Sequence, residues 1–262
     1  MAKTVIISGG TSGIGLALAK LYKKEGFNVW CLARNKPADF EFNFVKCDLT
    51  KKDEIDIALN EILSQVEKVD ILICNAGMGI SGPIEHCNLD CAKNMFDVNL
   101  FSAFLLSQKI IPHFRKVGCG KIMFISSVGS IFPLPFQAFY SASKCALEAL
   151  AFALKNEVRP FNIQVSCVLP GDTKTSFTAN REKCEEQTPE YKGKDITSVC
   201  KMEKDEQCGM SADYVAKIIF KATLKKKMPN MKIIGFKYKM FYLANKILPK
   251  RLVLYVVGKM YA

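Results

Sequence analysis

Short apolar runs alternate with longer stretches of helical spacing along most of this chain. Thr4 to Ser8 is an apolar run ending at glycines, and from Ile14 to Glu25 the positions Leu16, Leu18, Ala19, Leu21 and Tyr22 share a helical stripe before Gly26 stops it. The spacing predicts strand, turn, helix. The alternation continues with strands over Phe27 to Leu32 and Phe42 to Cys47, a helix over Lys51 to Glu67 and a strand over Val69 to Cys74. A long helical region from Asn88 to Lys116 follows, then a strand from Lys121 to Ser126, a helix from Tyr140 to Val158 and a strand from Ile163 to Leu169. Strands apolar on both faces and separated by helices imply a parallel sheet covered on two sides. This is an α/β, doubly wound (Rossmann) fold, whose ligands collect beyond the carboxyl ends of the strands.

From Thr173 to Cys208 the pattern dissolves into polar and charged residues with few apolar positions. Following a strand's carboxyl end, this stretch, roughly residues 173–210, is expected to be an irregular excursion over the ligand crevice, where a lid is useful. A loop with no part in closure is the alternative. Around the helix at Tyr140 lie Ile131, Phe132, Leu134, Phe136 and Phe139, and earlier come Ile80 and Pro83. These residues suit the wall of an apolar pocket, and equally suit ordinary packing.

Charge changes the picture at one end only. The formal charge is +12, yet no Asp or Glu follows Asp213, while twelve Lys and Arg do. The preceding 213 residues are balanced, so the positive charge belongs to the tail. A nucleic-acid binder is disfavoured, because no recognition motif and no basic excess outside the tail accompany it. Eleven cysteines scattered through predicted strands and helices (Cys31, Cys47, Cys74, Cys145 and Cys167 among them) read as thiols of a reducing, cytoplasmic compartment. His86, Cys87 and Cys91 hint at a metal, but no second ligand pair stands nearby, so no metal site is expected. No signal-length apolar stretch opens the chain, and no uninterrupted apolar run approaches the ~18 residues that span a bilayer.

Candidate chemistry sits at two places. Ser8-Gly9-Gly10-Thr11-Ser12-Gly13-Ile14-Gly15 joins the first strand to the first helix, the context in which glycines permit a tight turn and let a pyrophosphate approach main-chain N–H groups. A plain tight turn is the alternative. At the end of the second strand, where NAD-binding folds place a carboxylate on the ribose, the sequence reads Leu32-Ala33-Arg34-Asn35. A guanidinium there favours the 2′-phosphate of NADP(H) over NAD(H), unless Arg34 is simply solvated. The second place is Tyr140, with Lys144 four residues on along one helical face and Ser127 thirteen before. A phenol of pKa roughly 10 needs a neighbouring cation to exchange protons near neutrality, and Lys144 is placed to lower it.

From the first strand to about Thr175 these motifs, in this order, resemble the short-chain dehydrogenase/reductase family. The resemblance implies that Gly9, Thr11, Ser12, Gly13, Ile14 and Gly15 form the cofactor loop and that Asp48, followed by Leu49, contacts the adenine. It further assigns Asn75-Ala76-Gly77 to the family's Asn-Ala-Gly segment, and Asn99 to the helix-bending residue that holds a proton-relay water. Ser127, Tyr140 and Lys144 complete the catalytic tetrad, and Pro170, Gly171, Thr173 and Thr175 flank the nicotinamide. Tyr140 then exchanges a proton with the substrate oxygen, Ser127 holds that oxygen, Lys144 binds the nicotinamide ribose, and hydride passes directly between nicotinamide and carbon. A catalytically silent NADP-binding regulatory protein is the rival on the same fold.

The stretches Pro135 to Lys144 and Phe177 to Arg181 look most like the branch of 17β-hydroxysteroid and retinol dehydrogenases, which implies a small apolar ketone or alcohol of steroid, retinoid or lipid type. Family members are commonly homodimers or homotetramers. Lys232 to Gly235 resembles the family's last strand, closing a domain over residues 1–235. Beyond it, residues 236–262 form an extension that Pro249 divides into two basic amphipathic helices. Such helices pack on the core or a second subunit, or lie peripherally on an anionic membrane; both readings are open.

Overall fold

A computed structural model of the protein describes residues 2–184 and 189–261. Seven parallel strands form the central sheet: β1 (Thr4–Ser8), β2 (Asn28–Ala33), β3 (Asn43–Lys46), β4 (Ile71–Cys74), β6 (Gly120–Ile125), β7 (Ile163–Pro170) and β11 (Met231–Ile234). Their spatial order is β3-β2-β1-β4-β6-β7-β11, with Val5 of β1 opposite both Val29 and Ile71. The order reverses between β1 and β4, which opens a crevice at their carboxyl ends. Central strands are buried on both faces, as their unbroken apolar runs require.

One face of the sheet is covered by α1 (Gly13–Lys24) and α7 (Ala212–Leu224), which bury Leu18 and Tyr22 against Val215, Ile219 and Phe220. Tyr22 and Thr223 share a hydroxyl hydrogen bond of 2.5 Å across that contact. The other face carries α2 (Lys52–Gln65), α4 (Ser102–Val117) and α5 (Ala138–Glu157), burying Ile55, Leu59, Leu106, Ile110 and Leu147. Helix α7 has no counterpart in the sequence expectations.

The long helix expected from Asn88 to Lys116 is broken into α3 (Leu89–Phe96), a π-helical turn (Asp97–Phe101) and α4. The cause is local competition for the backbone. Asn99 turns inward and spans Met78, accepting from its N–H at 2.8 Å and donating to its C=O at 3.0 Å, while the Ser102 hydroxyl donates to Val98 C=O at 2.6 Å.

The expected irregular excursion is largely structured. Residues 185–188 of it lie outside the described residues, but α6 (Lys194–Gln207) buries Ser198, Val199 and Met202 beneath a highly charged exposed face. Two short parallel pairs anchor the segment: β8 (Thr173–Lys174) with β10 (Met210–Ser211), and β5 (Ile80–Ser81) with β9 (Glu182–Lys183). The tail folds as the two helices expected, α8 (Phe236–Ile247) and α9 (Lys250–Tyr261). Among the described residues, no helix is long and apolar enough to cross a membrane.

Candidate active site

The crevice at the carboxyl ends of the strands encloses about 680 Å³. Its floor is the β1–α1 turn. Gly9 and Gly13 adopt φ of 65° and 51°, which L side chains rarely tolerate. A Cβ on Gly9 would stand 3.0 Å from Ala76 Cα, and one on Gly15 would strike Gly9 O at 2.1 Å. Ser12 caps α1 without a side-chain hydrogen bond, so no side chain competes for the first-turn N–H groups facing the crevice. Asn75 fastens this turn to β4, donating through Nδ2 to Ser8 C=O at 3.1 Å and Gly9 C=O at 3.2 Å.

Arg34 and Asn35 line one end of the crevice beside Asp48 and Leu49. Burial alone would raise the Asp48 carboxyl, but the Thr50 N–H and hydroxyl, with the Lys51 and Arg34 charges, outweigh it and hold it below its ordinary value. Arg34 itself is exposed, free to meet an anionic group.

At the other end stand the residues of candidate chemistry. Ser126 donates to Lys144 C=O at 3.0 Å, and Lys144 Nζ donates to Ile125 C=O at 3.1 Å, so the end of β6 is clamped to α5. Lys144 Nζ lies 5.9 Å from the centre of the Tyr140 ring. Ser127 Oγ accepts from Gly129 N–H at 3.0 Å, which leaves its own proton for Tyr140 or a substrate oxygen. A Cβ on Gly77 would meet both Asn99 Oδ1 and Lys144 Nζ at 3.3 Å, so this glycine lets the loop after β4 pass close to the lysine.

In the chain alone, burial pushes the Tyr140 phenol up to about 12, against the Ser127 hydrogen bond and with Glu206 raising it further. The same burial pulls Lys144 down to about 8. Enclosure disfavours the charged form of either group in the chain alone.

Of the expected site residues, Gly9, Thr11, Ser12, Gly13, Ile14, Arg34, Asp48, Leu49, Asn75, Ala76, Gly77, Ser127, Tyr140, Lys144, Pro170, Gly171, Thr173 and Thr175 all line the crevice. Gly15 and Asn99 do not: Gly15 sits behind the turn, and Asn99 lies buried beneath it, bonded to Met78 and Ser143. The expected apolar wall is also different. Leu134 lines the crevice, whereas Ile80, Phe136 and Phe139 surround a separate small hollow and Phe132 packs on Phe241 of α8. In their place stand Met78, Val98, Val128 and Phe177 with the polar Asn94, Gln137, Asn180 and Glu206. Glu206 lies 66 positions after Tyr140 on α6, with no local spacing to announce it. Phe177 packs 5.6 Å from Tyr140 between ring centres.

A family model described as short chain dehydrogenase matches residues 3–186. The chain belongs to that family. Among curated relatives, the 3-ketodihydrosphingosine reductase of Bacteroides thetaiotaomicron is 32% identical over 98% of this chain and 97% of its own length. Human 17-beta-hydroxysteroid dehydrogenase type 1 is 33% identical over 68% of this chain and 59% of its own. Among solved structures, a short-chain dehydrogenase from Streptomyces avermitilis superposes with a TM-score of 0.84 at 26% identity, covering 94% of this chain and 92% of that one. As a short-chain dehydrogenase the protein is an NAD(P)-dependent oxidoreductase acting on CH–OH groups or the corresponding carbonyls.

Proposed function

We propose that this short-chain dehydrogenase is an NADP(H)-dependent reductase of a long-chain, lipid-like ketone, with Tyr140 as proton donor. The observation that carries the reading is the continuity of one crevice from exposed Arg34 to the enclosed Tyr140–Ser127–Lys144 group. The glycines at φ above 50°, the uncapped first turn of α1 and the Asp48 carboxylate fit a dinucleotide lying along that crevice. Arg34 is suited to pair the 2′-phosphate, and no Asp or Glu follows β2 before Asp39 to oppose it.

When bound, the dinucleotide would supply the hydride. The chain does the rest. Burial keeps the proton on Tyr140, ready for a substrate oxygen that gains negative charge. Ser127, its Oγ already accepting from Gly129, donates to the same oxygen and orients it. Lys144, pinned by Ile125 C=O, steadies the phenolate left behind. Asn99 is a positioning residue, holding the Met78 backbone that borders the crevice.

Two features support a lipid-like ketone. The full-length relative is named for 3-ketodihydrosphingosine, a long-chain ketone with a polar head. Beside Tyr140 the crevice joins Met78, Val98, Leu134 and Phe177 to Asn94, Gln137 and Asn180, a mixture suited to an amphiphile. A homodimer or homotetramer is proposed as well, supported by Phe101, Phe104 and Phe152, which are exposed on the helical segments around Asn99 and Tyr140.

Turnover of 3-ketodihydrosphingosine and of steroid and retinoid carbonyls, each with NADPH and NADH, tests the reading. NADPH is expected to be preferred at least about tenfold in kcat/KM, and Arg34→Asp to reverse that preference. Equal use of both dinucleotides by wild type, or no change in Arg34→Asp, would contradict the cofactor assignment. Failure of every long-chain ketone would contradict the substrate assignment.

A further inference from the structure

The tail helices are committed on one side and unpartnered on the other. Inward, the Tyr238 hydroxyl donates to Asp172, and its ring fills the space that a Cβ on Gly171 or Gly235 would occupy. Tyr261 donates to Asp205 of α6 at 3.0 Å, with Lys201 5.0 Å above its ring. Outward, α8 buries no residue and α9 buries only Val253. Phe236 is 79% exposed, Ile247 76% and Tyr255 62%, and Leu243, Leu252 and Leu254 join them. So much apolar surface on twenty-four helical residues calls for a partner.

Charge identifies that partner. Lys237, Lys239, Lys246, Lys250, Arg251 and Lys259 are all exposed, and the tail contains no acid. Several lysine ammonium groups sit over aromatic rings: Lys246 Nζ lies 4.7 Å from the centre of Tyr242, Lys237 Nζ 5.5 Å from Tyr238 and Lys259 Nζ 5.9 Å from Tyr255. Apolar bodies with ammonium groups reaching past them suit the boundary between acyl chains and anionic headgroups. Two copies of this surface facing each other would set cation on cation with no acid between. Helices of twelve residues extend about 18 Å, well short of the ~30 Å hydrocarbon core, so they lie on a bilayer rather than cross it.

We propose that α8 and α9 dock through their exposed sides on an anionic lipid bilayer. The inward side of the same helices braces the crevice, because Tyr238 holds Asp172 and Tyr261 holds the residue before Glu206, and both Asp172 and Glu206 line that crevice. Docking thereby brings the crevice to a bilayer that carries a lipid-like ketone. This last consequence rests on the substrate reading above; the docking itself does not.

Sedimentation of the full chain with phosphatidylcholine vesicles, with and without about a third phosphatidylserine, tests the docking. The protein is expected to pellet with the anionic vesicles and to be released as salt rises. Two variants, Phe236→Ser/Ile247→Ser and Lys237→Gln/Lys239→Gln/Lys246→Gln, change only exposed side chains; each should weaken pelleting at least about tenfold. Unchanged melting and unchanged turnover of a water-soluble ketone show that both remain folded. No pelleting, equal pelleting with uncharged vesicles, or variants that bind vesicles normally would overturn the proposal. So would variants that only lower the molecular mass in solution, which would make the patch a contact between copies. Vesicle binding requires no turnover, so failure of the ketone reading leaves this result intact and distinct.

Discussion

At the scale of single residues, the active site is a contest between burial and charge. Enclosure keeps a proton on Tyr140 and loosens one from Lys144, whose ammonium falls to about 8. A buried lysine whose folded pKa lies below its unfolded value penalises folding most fully below pH about 8, and the penalty fades as pH rises toward 10.5. The cofactor-free Lys144→Met variant should therefore be more stable than wild type at neutral pH by a few kcal/mol, and the gain should shrink in alkali. The same variant should lose turnover. Urea unfolding of both proteins across that pH range checks this; a variant less stable at neutral pH would show that the lysine is a structural asset. The common helical face of Tyr140 and Lys144 was readable from their i, i+4 spacing. The direction of their pKa shifts was not, since burial is set by segments as distant as α6.

At the scale of elements, the sheet and its helices were legible, and the segment over the crevice was not. Each central strand announces itself by an apolar run, but α6 carries its buried side on a few positions such as Val199 and Met202 among seven charged residues and the polar Thr197, Ser198 and Gln207, too narrow a stripe to stand out. What fixes this element is long-range. The Arg181 side chain, wholly enclosed, pairs with Glu206, which also accepts from Thr178 Oγ1 at 2.6 Å. Arg181→Met should strand the Glu206 charge and cost roughly 3 kcal/mol in urea unfolding. Adding Glu206→Gln should recover part of that loss, and a cost under about 1 kcal/mol for the single variant would show that the pair does not hold α6 in place. The apolar wall expected near Tyr140 was misassigned for a related reason: strand pairing of β5 with β9 draws Ile80 away into the smaller hollow with Phe136 and Phe139. The anchorage of Asn99 to Met78 depends on a π-helical turn that periodicity alone reads as continuous helix.

At the scale of the whole molecule, two surfaces divide the work. The balanced first 213 residues build the sheet and crevice, and the basic tail braces the crevice from outside while keeping its apolar bulk exposed. That division was visible as a charge asymmetry before any fold was known. Which side of the tail faces inward was not, because Tyr238 and Tyr261 look no different in sequence from the exposed Tyr255. The central claim remains the proton transfer at the crevice, and the most direct measurement is NADPH consumption by Tyr140→Phe with a reducible ketone, alongside NADPH fluorescence on binding. The variant should bind the dinucleotide as wild type does and lose turnover by about 10²–10⁴-fold; turnover within a few-fold of wild type, with binding intact, would contradict the role assigned to Tyr140.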